Sequence, residues 1–194
     1  MPNRPLILFA LCVALGSAPV GLAEDKAAPD PRLELFSLGP ANTAVLITES
    51  NLAKIKLPAP LKISDALTIT HVGAGVFEKE AKTGSMLFRP GDEVPLKTGL
   101  GFGWVMKVDS TENSVQVVEK FTLPKPNGKW SVDPDTTSVS DDGLTATTTE
   151  DHGFWDFIWR VWTLEEGDPD GPHSFTLKIA GKVVAELKFK IVKK

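Results

Sequence analysis

The residues of this chain best suited to metal chemistry are its histidines and its acidic turns. His152 follows Glu150 and Asp151, His173 follows Asp168 and Asp170, and His71 stands apart. A His/Asp site would form if the 150–152 and 168–173 turns met. No H-E-x-x-H or other ligand spacing accompanies them, so the histidines read as neighbours of turn residues and no metal is expected. Asp133-Pro134-Asp135, Asp141-Asp142-Gly143 and Asp168-Pro169-Asp170-Gly171 suggest calcium. The complete D-x-D-x-D-G loop with its distal Glu is missing, and turns use Asp and Gly for local hydrogen bonds and positive φ in any case.

Nucleophilic catalysis finds no support. There is no G-x-S-x-G elbow and no Ser/His/Asp order, and the single cysteine, Cys12, lies in the leader discussed below. No pair of carboxylates is singled out for glycosidic cleavage. Gly99-Leu100-Gly101-Phe102-Gly103 has the wrong spacing for a phosphate loop and precedes no helix. The expectation is a protein that is not an enzyme and uses no cofactor.

The tryptophans offer a different chemistry. Trp130, Trp155 and Trp159 are the candidate ligand-binding residues, and with Trp162 they would make a stacking platform for sugar rings. Against this, tryptophan is mostly buried, and three of these four lie on a strand that is bulky on both faces. Trp130 stands among Gly, Lys, Asp and Pro and is expected to be partly exposed. Lys182, Glu186, Lys188 and Lys190 mark the wet face of the last strand, where lysine deters edge-to-edge pairing.

Charge and targeting bound the setting. Arg4, the apolar run Leu6 to Leu15, and small residues at Gly21 and Ala23 make residues 1–23 a secretory signal peptide, cleaved after Ala23. The apolar run is about half the roughly twenty residues that a membrane span needs. Cleavage would remove Cys12 and Arg4, leaving 20 basic residues of the 21 against 25 acidic ones. The mature chain would have neither disulfide nor thiol, and would depend on its hydrophobic core. The expected location is the periplasm or the extracellular space, with no membrane span after cleavage. A mildly acidic chain lacks the basic footprint that nucleic acid requires.

Strands must position these residues. From His173 to Val192, Phe175, Leu177 and Ile179 alternate onto one face, and so do Ala185, Leu187, Phe189 and Ile191. A two-residue loop alone would turn one of these rows outward. The pattern therefore predicts a three-residue turn over 180–182, or a bulge near Val183-Val184. Leu100 to Val108 puts Leu100, Phe102, Trp104, Met106 and Val108 on one face, with glycines opposite that leave room for another backbone. Val115 to Leu123 alternates but slips at Val117-Val118. Because the slip would put Glu119 inside, a bulge is expected there. Gly73-Ala74-Gly75 allows a bend or bulge in the strand that begins at Ala66. Phe154 to Leu164, bulky on both faces, is expected to be a central strand. Pro58 and Pro60 restrict Leu52 to Ile63 to an edge strand at best.

The run from Leu67 to Val192 resembles a bacterial family of secreted Ig-like β-sandwiches of unknown function. The likeness is carried by Gly75-Val76-Phe77, by Val94 to Gly99 leading into Phe102-Gly103, by Trp162-Thr163-Leu164, and by Gly171 to Phe175 with Gly181-Lys182 and Phe189 to Val192. It implies a fold and brings no catalytic residues. The expected organisation is a signal peptide (1–23), an N-terminal lead with edge strands (24–64), and an all-β, antiparallel Ig-like or fibronectin-like β-sandwich of about seven strands (65–194). The expected function is an exported non-catalytic interaction or structural module with an unknown protein or glycan partner. The alternative is a carbohydrate-binding module using exposed tryptophans.

Overall fold

A computed structural model describes residues 33–37 (backbone only), 44–81, 83–127, 129–153 and 156–193. The expected signal peptide, and Phe154 and Trp155, lie outside the described residues. In chain order the elements are β1 (Leu33–Ser37), β2 (Ala44–Thr48), α1 (Glu49–Lys54), β3 (Lys56–Lys62), β4 (Leu67–Lys79), β5 (Met86–Pro90), β6 (Glu93–Pro95), β7 (Gly101–Ser110), β8 (Ser114–Thr122), β9 (Thr137–Val139), β10 (Thr145–Gly153), β11 (Phe157–Thr163), β12 (Gly171–Ile179) and β13 (Lys182–Val192).

The protein is an all-β sandwich, as the alternating pattern predicts. One sheet runs β1-β2-β5-β4-β7-β11, with β3 beside β4, and the other runs β6-β13-β12-β8-β10-β9. Beyond residue 65, seven strands have seven or more residues: β4, β7, β8, β10, β11, β12 and β13. These are the expected set. Six shorter or earlier strands join them among the described residues, and two pairings, β2 with β5 and β6 with β13, are parallel.

Apolar residues of the facing sheets fill the space between them. Phe102, Trp104, Met106 and Val108 of β7 meet Val115, Val117 and Phe121 of β8 and Phe175, Leu177 and Ile179 of β12. Phe121 lies 4.8 Å from Phe175, and Phe175 lies 5.1 Å from Phe189, ring centre to ring centre. A second cluster joins Val45, Ile47, Ile55, Phe77, Phe88, Val105 and Phe157. On β7 it takes Val105, which alternation points away from the first cluster.

Three local expectations are corrected. Strand β8 has no bulge. It pairs without a break with β10 from Ser114 to Thr122, and with β12 from Val117 to Thr122. Glu119 therefore does point inward, only 2% exposed, and donors from the opposite sheet make that tolerable. The irregularity of β4 falls between Ile69 and His71, not at the glycines. Those glycines instead admit close neighbours: a Cβ at Gly73 would overlap the Ile55 side chain, and one at Gly75 the Arg89 carbonyl oxygen. Strand β11 closes its sheet beside β7 and is not central. Its two faces are both bulky because Ile158 joins the first cluster and Phe157 the second.

The β12–β13 hairpin has a two-residue Ala180-Gly181 loop and a bulge. Leu177 faces Ala185, but Lys178 faces Val183, so Val184 is the extra residue. Positive φ at Ala180 (50°) and Gly181 (75°) gives the mirror-image turn whose twist suits a hairpin. The bulge restores the parity that the apolar rows require, at the position the pattern predicts.

Candidate functional site

Strand register builds a polar cluster inside the sandwich. Arg160 of β11 lies directly opposite Trp104 of β7, and Trp162 opposite Phe102, so all four project from one face of their sheet. Glu119 of β8 meets them from the other sheet. Its Oε2 accepts from Trp104 Nε1, and its Oε1 accepts from Trp162 Nε1 at 2.8 Å. Arg160 Nε lies 3.6 Å from Glu119 Oε1, and Arg160 Nη1 lies 2.5 Å from Glu150 Oε1 on β10. His152 Nε2 lies 3.8 Å from Glu150, and its ring meets Trp104 edge-on at 5.9 Å.

Burial dominates the protonation of these groups. It raises the carboxyl of Glu119 above the ordinary glutamate value, against the opposing pull of the Trp104 hydrogen bond and of Arg160. Burial also lowers His152, with Glu150 opposing.

Beside this cluster a cleft of about 310 Å³ opens between the ends of the sheets. Phe121 and His173 contribute to its lining, Trp130 and Trp162 to its walls, and Arg160 borders it on the side of the cluster. Trp130 and Trp162 meet at 73° with centroids 6.1 Å apart. Trp130 is fixed by its Nε1 donating to the Gly143 carbonyl at 3.1 Å, and Trp162 carries the Arg160 guanidinium 5.1 Å from its ring centre.

His173 is 4% exposed and packs against both Phe121 (5.8 Å) and Phe189 (5.5 Å), which also touch each other at 6.3 Å. Its Nδ1 lies 2.9 Å from the Gly171 carbonyl oxygen, which can only accept, so Nδ1 carries the proton. Burial lowers its pKa, which favours the neutral ring, and in that form Nε2 is an acceptor. Among the described residues, His173 Nε2 and Arg160 Nε are the buried side-chain polar atoms with no hydrogen-bond partner. Both residues line the cleft.

The structure brings some of the sequence candidates together and separates others. Trp130 lines the cleft beside Trp162. Trp159 projects from the opposite face of β11 and packs against the second cluster. Trp155 lies outside the described residues. The acidic turns hold themselves: Asp133 Oδ1 accepts from the Asp135 amide at 3.0 Å, Asp142 Oδ1 from the Leu144 amide at 3.0 Å, and Asp168 from Asn127 Nδ2 (2.9 Å) and the Glu165 amide (2.8 Å). No three His, Cys, Asp or Glu side chains are grouped to hold a metal among the described residues.

Arg160 and the deep face of His173 were not singled out by sequence reasoning, and Glu119 entered it only as an inward charge that a bulge would expel. One signal was available. Glu119 and Arg160 are opposite charges on the inward rows of two strands, and such charges persist inside a core only when they meet.

Solved structures similar to the chain include these two. An immunoglobulin-like protein from Pseudomonas aeruginosa is 15% identical, with 68% of this chain and all of that one covered and a TM-score of 0.44. The human F-spondin reeler domain is 11% identical, with 63% of this chain and 92% of that one covered and a TM-score of 0.30. No curated protein matches the chain. Residues 72–192 match the PM0630 beta sandwich domain, and the chain belongs to that family.

Proposed function

We propose that the protein is an exported, non-catalytic binding module whose ligand seat is the cleft between Trp130, Trp162 and His173. The observation that carries this reading is the unpartnered Nε2 of a nearly fully buried histidine in the lining of that cleft. A buried polar atom left without a partner costs about 1–3 kcal/mol, and a ligand that pairs with it recovers that cost. Apolar and aromatic walls with a few convergent polar groups are the usual make-up of a small-molecule site.

The buried carboxylate supports a binding role over a catalytic one. Glu119 is enclosed, and both its oxygens are engaged by indole N–H groups, so a substrate has no route to a free lone pair. Export rests on the leader read in residues 1–23. No helix among the described residues is long and apolar enough to cross a membrane.

A fragment library titrated into the ¹⁵N-labelled full-length protein tests the reading. The indole N–H signals of Trp130 and Trp162 should shift together and saturate, with the bound compound recovered unchanged. Saturable shifts confined to other parts of the protein, or chemical conversion of the bound compound, would overturn it.

A further inference from the structure

We propose that the cleft takes an uncharged pyranose or a short neutral saccharide, with sugar hydroxyls pairing to His173 Nε2 and Arg160 Nε and the ring resting against Trp162 and Trp130. This rests on the cleft being the ligand seat and names the class of ligand.

The hydrogen-bonding requirement comes first. With Nδ1 committed to the Gly171 carbonyl, His173 Nε2 needs a donor. Arg160 Nε, 3.6 Å from Glu119 Oε1 and so beyond hydrogen-bond range of it, can still donate to a nearer acceptor. A ligand that satisfies both must bring donors and acceptors into one apolar-walled space. Hydroxyl groups do both, and a sugar ring carries several around its rim.

Charge then removes the anionic alternative. The Arg160 guanidinium is already held between Glu150 (2.5 Å) and Glu119 (3.6 Å), so it has no full charge left for an anion. The other charged residues of the lining are Lys129, Asp133, Glu165 and Asp168, three acids to one base, which repels an anion further. Asp133 and Asp168 accept hydrogen bonds from their own turns and from Asn127, and the cation that this acidic lining leaves as the charged alternative is tested with choline below.

Shape completes the argument. Two partly buried indoles meeting at 73° form a corner with Phe121 behind it, 5.1 Å from Trp162. The C–H face of a pyranose is apolar and flat enough to lie on such a ring, and its hydroxyl edge then points at the polar atoms. A volume of 310 Å³ is at the small end of ligand sites. At about 30 Å³ per water it equals roughly ten waters, which suits one ring or two and not a long chain.

The test is a titration of the full-length ¹⁵N-labelled protein with methyl glucoside, galactoside, mannoside and N-acetylglucosaminide and with cellobiose, with glucuronate and choline as charged probes. The expected result is saturation by at least one neutral saccharide, with coupled shifts of the Trp162 indole and the His173 imidazole nitrogens. His173→Phe keeps the stack and removes the acceptor, and should weaken that binding about tenfold. His173→Gln, which restores an acceptor, should recover part of the loss, and Trp162→Phe provides a milder variant should Trp162→Ala fail to fold. Saccharide binding unaffected by His173→Phe and by Trp162→Phe would overturn the proposal. Binding of choline or glucuronate alone, with the same indole shifts, would overturn the saccharide assignment and leave the cleft as a ligand seat. Silence of every probe at both indoles would count against the saccharide and the seat together.

Discussion

Trp162 of one sheet donates its indole N–H to Glu119 of the other across 2.8 Å, and this bond joins the core of the sandwich to the wall of its cleft. Trp104 fills the second oxygen of the same carboxylate, and Arg160 lies 3.6 Å away. A carboxylate this deep is tolerated only while its donors remain. Glu119→Gln keeps the shape but turns an N–H group toward one of the two indoles. It should cost about 1–3 kcal/mol in urea unfolding. Arg160→Met leaves Glu119 and Glu150 without their cation and should cost about 3–5 kcal/mol. If both variants unfold at the parental urea midpoint, the bridge does not hold the sheets together.

The pH dependence has two opposed parts. Burial holds His152 and His173 below the ordinary 6.5, so the unfolded chain takes up protons first as pH falls. Their contribution to stability is complete above about pH 6.5 and is lost as pH falls toward the lowered values. Glu119 is raised above the ordinary 4.5, so the fold retains its proton longer than the unfolded chain does. Its contribution is complete below about pH 4.5 and is lost as pH rises through the raised value. In Glu119→Gln only the histidine slope remains, so Tm should climb more steeply between about pH 4.5 and 7 than in the parent. Parallel Tm curves for the two proteins would contradict this assignment.

The hairpin loop contains a small strain that can be relieved. Ala180 has φ 50°, a conformation that costs an L-residue with a Cβ roughly 1 kcal/mol. Ala180→Gly trades that strain against chain entropy, and Ala180→Asn relieves part of it without the entropic cost. Asn should raise stability by about 0.5 kcal/mol, read as a shift in the urea midpoint. Gly181→Ala should act in the opposite direction, although no atom beyond the adjoining residues lies within 4 Å of the added carbon, because φ is 75° there.

Strand β11 reaches its place because Gly103 has no side chain. A Cβ there would overlap the Arg160 carbonyl oxygen, so Gly103→Ala must push β11 away from β7. The cost should be about 1–3 kcal/mol. The displacement should also move the indole signals of Trp104 and Trp162 together, because both rings bond the same carboxylate. An indole spectrum unchanged in Gly103→Ala would show that the two strands are not held at this spacing.

The residues themselves determine the strands and even the fine register of the last hairpin. Alternation of Phe175, Leu177 and Ile179 against Ala185, Leu187 and Phe189 imposes a parity that a two-residue loop can meet only with a bulge, and Val184 supplies it. Period-two patterns are local, so they survive in a sequence read in one dimension. Two readings failed for a common reason. Along its own strand Glu119 demands expulsion by a bulge, and the bulky faces of β11 demand a central place. In both cases the deciding partner came from elsewhere in the chain. Trp162 lies 43 residues beyond Glu119, and Phe157 belongs to a cluster that also takes in Val45 and Ile47. The pairing of Trp130 with Trp162, the separation of Trp159 from both, and the unpartnered nitrogen of His173 were likewise decided by the stacking of two sheets. An inward charge reads as an error along its own strand, and only the facing sheet can satisfy it.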